Sequence, residues 1–159
     1  MSSLDGRVPR TTARVLPVSP DGAVLLLHEQ DPARPGFDYW GTIGGALDAG
    51  ETHLEAAVRE LREETGIVVE PALLTGPIGT GVHPFSWAGT DYVSHTTFFA
   101  VPLDRGVDVS FDQLEPEEVG NVLEAGWWYA DDLEAAGSAA AADMPEMMRR
   151  AVVAVRGTP

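Results

Sequence analysis

Three glutamates, Glu60, Glu63 and Glu64, stand at i, i+3 and i+4 in a segment that reads as a helix. That spacing puts their carboxylates on one helical face, a few ångströms apart. Like charges so placed repel and weaken an isolated helix, so a chain that keeps them is expected to hold a cation there. Carboxylate oxygens are hard ligands suited to Mg²⁺ or Mn²⁺, and Mg²⁺ typically sits between a few carboxylates and substrate phosphates. The bland reading is a solvated acidic face, the commoner explanation for charges at helical spacing. It leaves Gly44, Gly45, Gly50, Glu51 and Arg59 unexplained at their fixed offsets from the acids.

The elements that must position these acids are legible around them. Leu54, Ala57, Val58 and Leu61 recur at i, i+3, i+4 and i+7, an apolar stripe away from the acidic face. Thr52 followed by Glu55 reads as a capping box, and Gly66 suits the left-handed position just past the helix end. A helix over residues 52–65 therefore buries one side and offers chemistry on the other.

Residues 45–67 resemble the signature of the Nudix hydrolase family, G-x5-E-x7-R-E-U-x-E-E-x-G-U, with U a bulky aliphatic. Gly45, Glu51, Arg59, Glu60, Leu61, Glu63, Glu64, Gly66 and Ile67 fill every specified position. Chance would fill the seven single-residue positions in about one window in 10⁸ to 10⁹. The resemblance extends over residues 12–133 and closes on a Trp127 to Leu133 pattern like the family's final strand-to-helix passage.

The resemblance implies a Mg²⁺-dependent hydrolase, Mn²⁺ substituting, that cleaves a diphosphate linkage by attack of water at phosphorus. It implies Glu60 and Glu64 as the firmest metal ligands and Glu63 as a further ligand or the water-activating base. It adds the Gly44 carbonyl as a ligand, with Glu51 and Arg59 orienting the carboxylates. A plainer alternative for Arg59 is a surface ion pair with Glu63, worth only about 0.2–0.5 kcal/mol. Family members often supply one more acid from a later loop. Asp112, Glu115, Glu117, Glu118 and Glu124 are candidates, each singly more often solvated than catalytic. Glu118 is preferred because it falls late in the acidic loop, just before a strand. Two departures touch the glycine loop: Ile43 replaces a common proline, and Ala46 and Asp48 replace a common glycine and glutamate. Neither alters a metal-binding side chain.

For the non-phosphate part of a substrate, Phe85 and Trp87, with Tyr39 and Tyr92, are candidates to stack on a base or ring, Trp40 being assigned to the core. His83 and His95 are candidates to touch a phosphate. A lone histidine on a strand is more often just hydrogen-bonded in place.

Composition bounds the rest. At 159 residues and 16.9 kDa the chain suits one domain with a real core. Its net charge of −15 argues against a groove that tracks a nucleic-acid polymer. All ten basic residues are arginine, which excludes Schiff-base or P-loop lysine chemistry. Cysteine is absent, which excludes disulfides, a thiolate zinc site and a thiol nucleophile. Residues 1–10 carry no apolar leader, and the longest clear apolar run, 23–27, is too short to span a bilayer. A cytoplasmic protein without membrane contact is expected.

Along the chain, residues 1–9 read as a loose tail and 10–159 as a single domain. Strands are expected over 12–18 and 23–28 about an Asp21-Gly22 turn, and an extended piece over 38–42 after a loop. After the helix, strands are expected at 67–70, 73–83, 92–101 and 122–129. Residues 85–90 read as a turn and 104–118 as an acidic loop. A helical turn is expected at 131–136 and a terminal helix at 145–155, with the Ala-rich residues 135–142 as a flexible link or a frayed helix. This order gives an α+β fold with helices against a mixed sheet. The resemblance makes it a Nudix-type α/β/α sandwich with a loop-helix-loop catalytic motif.

The leading expectation is a pyrophosphohydrolase acting on a small nucleoside diphosphate derivative: a nucleotide, a nucleotide sugar, ADP-ribose or similar. The alternative is a non-catalytic nucleotide-binding sensor on the same fold, which would be expected to lose signature carboxylates. A third reading, an isomerase, needs a proton donor or thiol and is disfavoured by the missing cysteine. The resemblance also admits a homodimer.

Overall fold

The computed structural model describes residues 6–159. A seven-stranded mixed sheet forms the centre, built from β1 (Val8–Val18), β2 (Val24–Gln30), β3 (Asp38–Gly41), β4 (Ile43–Ala46), β5 (Thr75–Trp87), β6 (Thr90–Pro102) and β7 (Val122–Trp128). The main order is β3-β2-β1-β6-β5, with β4 also on β1 and β7 also on β2. Only β1 and β6 run parallel; the other pairs are antiparallel. β1 meets β2 at Val18 and Val24, after which β1 runs with β4 and β6 while β2 runs with β3 and β7.

Strand alternation splits the buried residues into two cores. Ala13, Val15, Leu25, Leu27, Ile43, Phe99 and Val101 face α1 (His53–Thr65), which contributes Ala56, Ala57 and Leu61. Leu16, Val18, Val24, Leu26, Phe98 and Ala100 face α2 (Ala130–Ala136) and α3 (Met144–Arg156), which contribute Leu133, Met147, Met148 and Ala151. The fold is therefore α+β, an α/β/α sandwich. Among the described residues no helix is long and apolar enough to cross a membrane.

α1 ends as its residues dictate. The Glu55 amide donates to Thr52 Oγ1 at 3.1 Å, and the Thr52 amide donates to Glu55 Oε1 at 3.0 Å, a closed capping box. Gly66 takes φ +75° and its amide donates to the Arg62 carbonyl at 2.8 Å.

Four expectations need correction. Val8 and Pro9, placed in the tail, belong to β1, where Val8 pairs with Tyr92; residues 1–5 lie outside the described residues. Residues 67–70 alternate as a strand would, with Ile67 and Val69 buried and Val68 75% exposed, but no strand among the described residues pairs with them. A 3₁₀ turn at Pro71–Leu73 follows directly. Phe85 and Trp87 lie inside β5, because the hairpin turn needs only Ala88 (φ +51°) and Gly89 (φ +81°). The Ala-rich link is pinned to the outer edge of β3: the Trp40 amide donates to the Ser138 carbonyl and the Ala140 amide to the Trp40 carbonyl, both at 2.8 Å.

Candidate active site

Arg59 organises the acids of α1 and the preceding loop. Its Nε and Nη2 donate to the two oxygens of Glu51 at 2.8 and 3.0 Å, a forked pair. Nη1 donates to Glu60 Oε1 at 3.1 Å and Glu63 Oε2 at 2.9 Å, while Nη2 also reaches the Ala46 carbonyl at 3.0 Å. Glu51 in turn accepts the Asp48 amide at 2.9 Å. The hydrogen bonds from Arg59 hold the Glu51 carboxyl below its ordinary value. One guanidinium thus ties the loop to the helix. The pair with Glu63, the plainer alternative for Arg59, is present as one contact among several.

Glu60 and Glu64 differ from Glu63. Glu64 is 3% exposed and accepts the Gly44 amide at 3.0 Å. Burial raises its carboxyl well above the ordinary value, and the charges of Glu60, Glu29 and Glu118 raise it further. Burial likewise pushes Glu60 up to about 7, against the pull of Arg59. The glycines make the room. A methyl group on Gly45 would stand 2.6 Å from Glu60 Oε1, and one on Gly44 would stand 2.2 Å from the Ala13 carbonyl. At φ +152°, Gly44 also adopts a backbone that other residues rarely take.

Glu118, the preferred acid of the later loop, lies against Glu64 and is itself raised by burial. Asp112, Glu115 and Glu117 are exposed. Glu124 pairs with His28 at 3.3 Å. Tyr39 is half-buried, directly across the strand pair from Glu29. Phe85 stacks on Tyr92 with centroids 5.0 Å apart, and Trp87 ends β5 half-buried. Trp40 stacks on His28 and meets Trp128 edge-on, a packing role as expected. The two histidines do not join the acids: His83 pairs with Asp143 at 2.8 Å and His95 is exposed.

Three residues escaped the sequence reading. Glu29 is raised to about 7, chiefly by burial; Arg14 opposes that rise and also those of Glu60 and Glu64. Arg10 stands close enough to Glu60 to feel its charge. The signal for Glu29 was its period-two register with the core residues Leu25 and Leu27. For Arg14 it was a lone cation between the buried residues Ala13 and Val15.

The donor set fits a hard divalent cation. Two mutually repelling carboxylates share a partly desolvated place, and Gly45 leaves space beside one of them. Among the described residues no three acids or histidines are drawn together closely enough to cage an ion unaided. An ion held there would need further oxygen ligands, as is usual for Mg²⁺. The clefts beside α2 and α3, lined by Leu133 and Pro145 and by Ile78 and Arg150, contain no residue of this site.

Comparison with known proteins agrees with this geometry. The NUDIX domain model matches residues 8–151. The chain belongs to the Nudix family, a class of hydrolases acting on pyrophosphate bonds. The fold resembles the MutT protein of Methanosarcina mazei Go1 (TM-score 0.69, 18% identity, 91% of this chain and 94% of that one). It also resembles the dihydroneopterin triphosphate pyrophosphohydrolase of E. coli (TM-score 0.63, 22% identity, 92% and 99%). The NUDIX domain of Shewanella oneidensis NrtR, solved with ADP ribose, is similar as well (TM-score 0.63, 18% identity, 95% and 91%). A 69-residue stretch, 42% of this chain, is 41% identical to an octanoyltransferase of Myxococcus xanthus but spans only 18% of that protein.

Proposed function

We propose that this chain is a Mg²⁺-dependent hydrolase, active also with Mn²⁺, that cleaves the diphosphate linkage of a small nucleoside diphosphate derivative. The observation that carries the reading is the Glu60–Glu64 pair, repelling and partly desolvated, set in place by Arg59 and the Gly44 amide. A divalent cation bound there would neutralise charge on the phosphoryl oxygens and lower the pKa of a bound water. Glu60 and Glu64 would hold it, with the Gly44 carbonyl as a further ligand. Glu51 and Arg59 fix the orientation of the carboxylates. Glu63 or Glu118 takes the proton of the attacking water. The raised carboxyl of Glu118 suits a base better than an ordinary exposed glutamate does.

The similar proteins point to phosphorylated heterocyclic substrates: a dihydroneopterin triphosphate for one, and ADP ribose as the molecule solved with another. A cytoplasmic setting belongs to this reading, since a cysteine-free chain needs no oxidising compartment. The sensor alternative is disfavoured because every signature carboxylate is kept.

The test is a panel of nucleoside triphosphates, nucleotide sugars, ADP-ribose and dinucleoside polyphosphates, incubated with Mg²⁺ in ¹⁸O-labelled water. Mass analysis of the products should place label on one phosphorus of a cleaved diphosphate. Binding of a panel member without any cleavage would favour the sensor instead.

A further inference from the structure

We infer that Arg10, Arg14 and Ser94 form an anion subsite beside the acid pair, taking a phosphoryl group that lies beyond the cleaved diphosphate. This rests on the hydrolase reading above and narrows its substrate class to nucleosides carrying three or more phosphates.

The register places these residues on one sheet face. Arg10, Thr12 and Arg14 alternate along β1, and the parallel neighbour β6 sets Ser94 beside Arg10 and Thr96 beside Thr12. The hydroxyls of Thr12 and Thr96 meet at 2.7 Å, which fixes that shared face. The same face continues into Leu16 and Phe98 beneath α3.

Ser94 is 4% exposed, yet among the described residues its hydroxyl has no hydrogen-bond partner. A buried hydroxyl left unpaired is costly, and the strand partner of Ser94 is Arg10. Among the described residues no carboxylate stands within ion-pairing distance of Arg10 or Arg14, although the chain carries twenty-five acids. Arg14 spends one donor on the Thr42 carbonyl at 2.7 Å. Arg10 lies over Tyr92 and Phe85, 5.2 and 5.6 Å from their ring centroids. Burial disfavours the charge of Arg10, the nearby Arg14 guanidinium disfavours it further, and Tyr92 and Glu60 favour it. Two repelling cations with a lone hydroxyl between strands make an anion cradle, and forked guanidinium donors match phosphate oxygens.

The aromatic pair then has a different use from the one expected. Phe85 and Tyr92 stack on each other and seat Arg10, so they stiffen a phosphate contact in place of sandwiching a base.

The experiment compares wild type, Arg10→Gln, Arg10→Lys and Ser94→Ala on a nucleoside triphosphate and on a nucleotide sugar, which lacks the extra terminal phosphate. Arg10→Gln should raise KM for the triphosphate about tenfold more than KM for the nucleotide sugar, with kcat changed far less. Arg10→Lys should recover part of that loss, and Ser94→Ala should show a smaller loss in the same direction. Equal changes on both substrates, or none, overturn the subsite while leaving the hydrolase reading intact. Should wild type turn over neither substrate, inorganic triphosphate without divalent cation decides the matter. It should raise the melting temperature of wild type but not of Arg10→Gln. An identical rise in both overturns the subsite.

Discussion

Glu64 carries the sharpest contrast at the scale of single residues: a carboxylate almost without solvent, touching one amide and surrounded by Glu60, Glu29 and Glu118. Glu64→Gln keeps an acceptor for the Gly44 amide and deletes a repelling charge. We expect activity to fall ~100-fold or more, roughly 3 kcal/mol in the barrier, while the melting temperature stays level or rises. Wild-type turnover in purified Glu64→Gln would remove the metal assignment.

Glu60 and Glu29, each raised from about 4.5 to about 7 chiefly by burial, make the cation-free chain sensitive to pH. Folding takes up protons in that window, so stability falls as pH rises through it. A cation binds only the deprotonated carboxylates. Mn²⁺ should therefore raise the melting temperature more at about pH 8 than at about pH 5.5. Thermal scans with and without EDTA check the sign.

Among the elements, β2 presents charged residues on both of its faces. On one face its Glu29 joins the acids; on the other, His28 is clamped between Asp38 of β3 at 3.0 Å and Glu124 of β7 at 3.3 Å. Burial pulls the imidazole down, but the two carboxylates outweigh it and its value lies above 6.5. A raised value means that stability is fully present below 6.5 and lost as pH climbs through the folded value. The double variant Asp38→Asn, Glu124→Gln should melt below wild type in mild acid, and the gap should close as pH rises. A gap independent of pH would show that the clamp acts by packing alone.

Across the whole molecule, the two cores divide labour. The core under α1 underlies Glu60 and Glu64, and the core under α3 lies on the sheet face that also carries Arg10, Arg14 and Ser94. Met148 is fully buried in the second. Met148→Ala should cost about 2–5 kcal/mol of stability, read by denaturant titration, with kcat and KM unchanged for the folded fraction. A specific loss of kcat would mean that α3 takes part in the chemistry. The charge of −15 also gives Arg10 and Arg14 unusual weight, because an anionic substrate approaching this chain is repelled almost everywhere else.

Local chemistry wrote much of this into the chain. The cap at Thr52, the stop at Gly66, the apolar stripe of α1 and the spacing of Glu60, Glu63 and Glu64 act over a few residues, so they were legible before any fold was known. The family followed from the same stretch. What lies far apart in sequence could not be read there. Residues 67–70 have strand alternation but lack a partner, and pairing is a tertiary fact. Glu29, Arg10, Arg14 and Ser94 carry no motif; they gain meaning because β1 and β2 part after Val18 and Val24, and because β6 runs parallel to β1. The different surroundings of Glu63 and Glu64, one held by Arg59 and the other buried beneath Gly44, likewise arise from what packs against the helix, since their spacing alone treats them as equals.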